Sequence, residues 1–502
     1  MSEAWVHVAG VTLLCSSLPL LGQQADLPTA PTALHSNLEG QQTTEPPALK
    51  SYLLPPNPAA GVLPSPQVEI NHEHEYTLPE LIDIAERAHP QTRIAWVTAK
   101  NAALASGIAA STYYPRISAT IVGGYQGSSG SNSAFGVSTN ESASATGSVS
   151  AMSAEWLLFD FGGRNHVVDA TRKLAKVSSI AFTGEHQAVI YQVCIAYYSY
   201  NAARLRHGAN EASLRNAREI EVAAENRYRD GIGTVLETNQ ARQATALAQL
   251  NLIQAQGAEE NAYAALLATL GVSPLEQLRI ASLAPRRISQ DLLQPINQVV
   301  AESLARRSDV LAAYAAEQAS QAAVKAAATQ YLPKIFVAGT GAYVSGGLGL
   351  TAIPAIGEQL PTFNISGNHW NGAIIGGVTV PVFDGRRRAQ GIEQAKNESV
   401  KAAATLDRVR IEAVREVVAA QNTLKTSIEA ERASAVLVDA SQTGYDAALE
   451  AYKHGVGTVT AVLTAQTALL QAQLSFDESE SATQTAAVTL AFARGQLGGA
   501  PH

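Results

Sequence analysis

The chain has 502 residues, of which 46% are hydrophobic, 16% charged and 6% aromatic, and its net charge is −8. The acidic balance argues against nucleic acid as a partner, the aliphatic and alanine content excludes a disordered chain, and two cysteines, Cys15 and Cys194, cannot build a disulfide framework or a multi-cysteine zinc site. No apolar run reaches the ~18 residues of a membrane-spanning helix, which excludes a helical membrane protein as well.

The longest apolar stretch, residues 8–22, has the length of a secretory h-region, so residues 1–25 read as an export signal, although no Lys or Arg precedes the stretch. Leu14, just before Cys15, is larger than a lipidation site accepts. Residues 26–75 form an N-terminal arm in which nine prolines between Asp26 and Gln67 preclude helix. At its end, His72, Glu73, His74 and Glu75 lack a further spaced ligand for a metal and read as a solvated lead-in to the first helix.

Beyond the arm the chain repeats itself. Residues 226–250 align without gaps on 450–474, with ten of 25 positions identical. Among them are Tyr228/Tyr452, Gly231/Gly455, Gly233/Gly457, Thr234/Thr458 and Val235/Val459, at an offset of 224 residues. The same offset pairs Phe159-Asp160 with Phe383-Asp384, each followed by Gly and Arg, and an offset of 218 pairs YYPRI at 113–117 with YLPKI at 331–335. Three landmarks in one order mark an internal duplication, with repeats expected at 76–285 and 286–499.

In the first repeat, Leu81, Ile84, Ala85 and Ala88 fall at helical spacing in a helix from Leu78 to about Thr112, with Pro90 as a local break. Its counterpart runs from about Ile296 to Gln330. Pro115 and Pro333 end these helices by pushing the preceding residue out of α geometry. Residues 116–126 and 143–159 flank a Gly/Ser/Asn stretch, and residues 334–344 and 372–383 flank a Gly/Pro-rich insert. They predict two β-hairpins, within 116–160 and 334–384, of about ten residues per strand. Their weak alternation suits membrane strands.

Gly162 and Gly385 then turn the chain into long helices. Gly163 to Asp230 holds no proline and would span roughly 100 Å as helix; Arg386 to His454 is its twin. The Gly231/Gly233 and Gly455/Gly457 pairs end these helices. Thr234 and Thr458 then cap return helices over 234–270 and 458–497. Alanine-rich faces predict coiled-coil hairpins with closely approaching backbones.

Four strands per chain cannot close a membrane barrel, which starts at eight, and an open edge cannot sit in lipid. Either they form an ordinary small sheet or several chains pool them. Two chains would give eight strands and three would give twelve, and only twelve leaves an appreciable lumen.

The tandem halves, the YYPRI/YLPKI strand entries, the Phe-Asp-Gly strand exits and the Tyr-x-x-Gly-x-x-Thr tips followed by Ala/Gln/Leu helices resemble the TolC-like outer membrane factors over about Tyr76 to Gly499. The resemblance implies a fold that is mainly α with membrane β. Long coiled-coil helical hairpins would form an α-barrel across the periplasm, and four strands per protomer would contribute to the 12-stranded β-barrel of a homotrimer in the outer membrane lipid. It implies a passive exit duct for tripartite efflux or type I secretion, served by a periplasmic adaptor and an inner-membrane transporter of the RND or ABC type.

By the same resemblance, Tyr228, Gly231, Gly233, Thr234, Tyr452, Gly455, Gly457 and Thr458 form the periplasmic tips and adaptor-docking end. Glu237 matches the family's acidic entrance residue, whereas the corresponding second-repeat positions hold Ala461 and Thr464. Pro115, Phe159, Asp160, Gly162, Pro333, Phe383, Asp384 and Gly385 mark the strand–helix turns.

Arg386, Arg387 and Arg388 follow the last strand and read as contacts to phosphate headgroups or to the inner rim, or as a solvated helix start. Trp156, Tyr113, Tyr114 and Tyr331 sit at strand ends, as an aromatic girdle or as packing against helices. Cys194 lies on an Ala/Tyr-rich helix face and reads as buried and inert.

Nucleophile-elbow, P-loop, dinucleotide and zinc-helix motifs are absent from the sequence, so neither an enzymatic activity nor a cofactor or metal is expected. The rival reading is an exported coiled-coil scaffold with small β caps, which leaves paired strands of membrane-crossing length in both halves without a purpose.

Overall fold

The computed structural model describes residues 60, 70–134, 137–282, 288, 294–346, 349–350, 363–364 and 367–498. The expected signal segment, Cys15, most of the Pro-rich arm and the boundary between the repeats at 285–286 lie outside the described residues.

The first half runs β1 (Glu75–Tyr76), α1 (Leu78–Ala88), α2 (Pro90–Ser111), β2 (Arg116–Ala134), β3 (Val137–Phe159), α3 (Gly163–Arg229), α4 (Val235–Thr269) and β4 (Arg279–Ile280). The second runs α5 (Ile296–Arg306), α6 (Ser308–Ala328), β5 (Lys334–Gly346), β6 (Gly349–Leu350), β7 (Phe363–Asn364), β8 (His369–Thr379), α7 (Arg387–Lys453) and α8 (Val459–Ala493). Corresponding helices match in length: α3 and α7 have 67 residues each, and α4 and α8 have 35 each. At ~1.5 Å per residue, α3 and α7 are each about 100 Å long.

The chain divides into two compact units. One holds Tyr113–Phe159 and Lys334–Thr379, the other the helices. In the first, four strands form one antiparallel sheet in the order β2-β3-β5-β8. The register runs from Arg116 opposite Glu155, through Ala151 opposite Ala342, to Val344 opposite His369. Each repeat thus supplies one hairpin, joined through β3 and β5, and β2 and β8 are the free edges among the described residues.

Three expectations are corrected here. The Gly/Ser/Asn stretch is paired strand, giving β2 19 and β3 23 residues with Ala134 opposite Val137. Small residues without proline leave every ladder hydrogen bond available, so turn-like composition does not end pairing. Conversely β8 stops at Thr379 rather than 383, because Pro381 has no N–H to donate. The helix expected over 296–330 is broken at Arg307 (φ −62°, ψ 128°), as α1 and α2 are broken at His89 (φ −68°, ψ 123°). Pro90 accounts for the first break; no proline accounts for the second.

In the helical unit, the buried side chains gather in several clusters. One joins Tyr76, Leu81 and Ile84 to Val193, Tyr197, Leu266, Leu270 and Ile280, across β1, α1, α3, α4 and β4. A second packs Val299 of α5 on Val417, Leu424 and Ile428 of α7 and on Leu490 of α8. A third gathers Ile220, Ala224, Ala241, Tyr445, Leu449, Tyr452, Val459 and Val462 where all four long helices approach their turns. Alanines recur at full burial, including Ala217, Ala224 and Ala241, which lets the backbones come close. Cys194 lies inside the first cluster, where burial pushes its thiol up to about 11. It is therefore a protonated, unreactive thiol at neutral pH.

Candidate functional site

Two regions bear on function: the sheet and the helix tips. Within the sheet the period-2 alternation of side chains puts the charged residues on one face and most of the large aromatic and aliphatic residues on the other. One face carries Ile117, Ile121, Tyr125, Met152, Trp156, Tyr343, Trp370, Ile374 and Val378, assigned by the register. Most of these are solvent-exposed in the single chain, Ile374 at 87%. Over 116–125, 146–159, 334–346 and 369–379 the three charged residues, Arg116, Glu155 and Lys334, all fall on the opposite face. That second face also holds the Ser118–Ser153 hydroxyl bond (2.7 Å), Thr120, Thr340 and Asn371, together with Val122, Phe336 and Ile375 and a small buried patch of Val149 and Val344.

Aromatic residues sit towards both ends of the apolar face. Tyr343 packs on Trp370 with ring centroids 5.1 Å apart, while the Trp156 indole donates to the Tyr113 carbonyl at 2.9 Å. An apolar band between aromatic rows is the lipid-facing pattern of a membrane strand. Free edges on such a sheet require neighbouring strands.

The strand–helix turns are built alike in both repeats. Asp160 accepts from the Arg164 backbone N–H at 2.6 Å and pairs with its guanidinium, and Asp384 does the same with Arg388 at 3.1 Å. Arg164 also donates to the Thr112 carbonyl. The two Asp residues thus anchor α3 and α7 at their N-termini, where a carboxylate is favoured. The Arg of each Phe-Asp landmark that lies four residues on, Arg164 or Arg388, is thus the partner of its aspartate. Gly162 (φ 92°) and Arg386 (φ 72°) occupy the same left-handed position.

At the tips, Gly231 (φ 75°) and Gly455 (φ 81°) take left-handed backbone, and the N–H groups of Gly233 and Gly457 donate to the Arg227 and Ala451 carbonyls at 2.8 and 2.9 Å. A Cβ on Gly233 would lie 2.7 Å from the Tyr228 nitrogen. Thr234 and Thr458 each accept, through the side-chain oxygen, the N–H three residues on, at 3.2 Å.

The two tips differ in their tyrosines. Tyr228 is 51% exposed, whereas Tyr452 is fully buried. The Arg227 guanidinium lies 4.9 Å from the Tyr452 ring centroid and donates to the Tyr452 carbonyl at 3.0 Å. The Tyr452 hydroxyl points to Glu237 Oε2 at 3.5 Å, and burial, then Glu237, raises its pKa. Lys453 reaches Glu219 at 2.9 Å. Glu237 therefore meets the second hairpin through the Tyr452 hydroxyl. Arg227 escaped notice because its repeat counterpart is Ala451.

Comparison with known proteins places this geometry. The sequence profile described as "Outer membrane efflux protein" matches residues 81–272 and 299–496, one segment per repeat. Protein CyaE of Bordetella pertussis is 27% identical over 427 residues, covering 84% of this chain and 85% of that protein. Outer membrane efflux protein BepC of Brucella suis is 29% identical over 401 residues, covering 78% and 79%. The Campylobacter jejuni CmeC outer membrane channel shares the fold with a TM-score of 0.68 at 20% identity, covering 84% of this chain and 85% of that one. The chain belongs to the outer membrane efflux protein family, the TolC-like outer membrane factors.

Proposed function

We infer that this chain is one protomer of a trimeric exit duct in the outer membrane, through which a tripartite efflux pump or a type I secretion system exports its cargo passively. The observation that carries this is the four-stranded sheet with one uncharged, aromatic-bordered face and two free edges. Its strands alternate in direction, so β8 of one copy lies antiparallel beside β2 of the next. Three copies close twelve strands, enough for a lumen. The long helices then carry the duct through the periplasm, and a periplasmic adaptor docks at the tips around Tyr228, Gly231, Gly233, Thr234, Tyr452, Gly455, Gly457 and Thr458. An inner-membrane RND or ABC transporter supplies the energy.

The test is extraction and conductance of the full-length protein. It should leave membranes only with detergent, migrate as a trimer and give single-channel currents in planar bilayers. A protein that is soluble after lysis and carries no current would be the coiled-coil scaffold instead.

The lipid-facing assignment makes a separate prediction. Ile374 is the central residue of β8, and Ile374→Arg should cost about 2–4 kcal/mol per site, as arginine does near a bilayer midplane. Ile375→Arg, one residue on and on the other face, should cost much less. Folding yield into lipid vesicles reads the difference, and equal losses would mean that neither face meets lipid.

Glu237 is the acidic entrance residue on this reading, repeated three times around the duct. Glu237→Ala should weaken block of the current by divalent cations added on the tip side. Unchanged block would place Glu237 away from the constriction.

A further inference from the structure

The duplication gives the arginine triplet after β8 an internal reference. Arg388 corresponds to Arg164, and both are tied to an aspartate four residues back. Arg388 also lies over the Tyr331 ring, 5.7 Å from its centroid. Arg386 and Arg387 correspond to Gly162 and Gly163. The turn and helix start therefore form in the first repeat without any side chain at these two positions. In the second repeat both are arginines, both are exposed, and neither side chain has a hydrogen bond or ion pair among the described residues. Arginine even occupies the left-handed position, which disfavours any residue with a Cβ. Folding alone does not call for these two charges.

Their surroundings indicate what does. Val382 and Phe383, just before the turn, are 92% and 84% exposed. Phe159, the counterpart of Phe383, is 51% exposed. The stretch from Val380 to Arg387 begins one residue after β8 leaves the sheet at Thr379. There the chain passes from the hydrocarbon to the periplasmic side. Bare apolar side chains followed within a few residues by unpaired guanidiniums match the boundary between acyl chains and headgroups.

We propose that Val382, Phe383, Arg386 and Arg387 form a docking surface for an anionic glycerophospholipid at the periplasmic edge of the barrel. The valine and phenylalanine enter the acyl boundary and the two guanidiniums grip the phosphate. Guanidinium is suited to this because its planar fork bonds phosphate oxygens in pairs. The proposal rests on the outer-membrane placement of the sheet, and three copies around the trimer would bind three such lipids.

The test uses the full-length trimer in non-ionic detergent, titrated with phosphatidylglycerol or phosphatidylcholine of the same acyl chains, with retained lipid counted by native mass spectrometry. Wild type should prefer phosphatidylglycerol. R386G/R387G, which restores the residues of the first repeat, should lower that preference by about thirtyfold, at roughly fivefold per basic residue. R386Q/R387Q should do the same, separating charge from backbone freedom. Trimer mass and single-channel conductance of both variants should stay as in wild type, so the channel reading and the lipid reading can fail separately. Unchanged preference in both variants overturns the proposal. So does displacement of the lipid by millimolar inorganic phosphate, which would make the surface a free-anion site. Dissociation of the trimer with lipid preference intact also overturns it, since the surface would then be a contact with a second copy.

Discussion

Replacing Tyr452 by alanine should destabilise the tip by about 3–5 kcal/mol, the range for a buried large aromatic, and raise single-channel conductance severalfold. The same change at Tyr228 should stay near 0.5 kcal/mol, as at most exposed positions, and leave conductance alone. The two tyrosines hold the same place in the same motif, so each controls for the other. Tyr452 is fully buried in the cluster that joins α3, α4, α7 and α8. Its ring and carbonyl are both held by Arg227. Truncation empties the ring's site and leaves the buried end of Arg227 without its aromatic face, so the second hairpin loses its hold on the first at the tips, the entrance on the proposed reading. Tyr452→Phe should be mild, because it keeps the ring and loses only a long contact to Glu237, 3.5 Å away. Bilayer recordings with thermal melts of the detergent-solubilised trimer check this, and matching phenotypes for Tyr228→Ala and Tyr452→Ala would sink it.

The contrast between these tyrosines also shows what the chain discloses on reading and what it withholds. Helix limits were legible because local chemistry sets them: Phe-Asp-Gly turns open α3 at Gly163 and α7 at Arg387, proline-free stretches sustain them, and Gly-x-Gly-Thr turns end them at Arg229 and Lys453. The duplication let each limit be checked against its twin. Strand ends were misjudged because residues 127–142 have the composition of a loop, while the ladder from Gly127–Ser144 to Ala134–Val137 is held by backbone groups that composition does not reveal. Burial of Tyr452 was invisible because Arg227, which covers it, lies 225 residues away. The glycines and threonines of the tips were readable as turn and cap residues; which side of the tip is locked was not. The unpaired state of Arg386 and Arg387 likewise became visible only once Arg388 was seen to be engaged with Asp384 and Tyr331.

The break between α5 and α6 has the same long-range origin and gives the second large effect. Arg307 sits at the break with only 8% of its surface exposed. Its guanidinium bonds Asp309 at 2.7 and 3.0 Å, Glu416 of α7 at 2.6 Å and the carbonyl of Ala493 at the end of α8 at 3.3 Å. One side chain thus ties the α5–α6 corner to both helices of the second hairpin. Burial works against the charges on Arg307 and Asp309, but their mutual pairing outweighs it. The guanidinium is pushed further up and the Asp309 carboxyl is held below its usual range.

Arg307→Ala removes the cation that bridges Asp309 and Glu416 and leaves two like charges close together. Breaking a buried pair costs about 3–5 kcal/mol; both carboxylates are partly solvated, so about 3 kcal/mol per protomer is expected. Because the folded pKa of Asp309 is depressed, its share of the stability is fully present above the unfolded value of 3.8 and is lost as pH falls through the lower folded value. The gap between wild type and Arg307→Ala should therefore be widest near neutral pH and narrow below about pH 4. Arg307→Lys should keep the charge and recover only part of the loss, since an ammonium cannot span both carboxylates and the carbonyl with the same fork. Melts of the solubilised trimer between pH 3 and 8 would show it. A loss under about 1 kcal/mol, no larger than that of an exposed pair, would mean that the break is held by the packing of Val299 and Leu490 and not by the arginine.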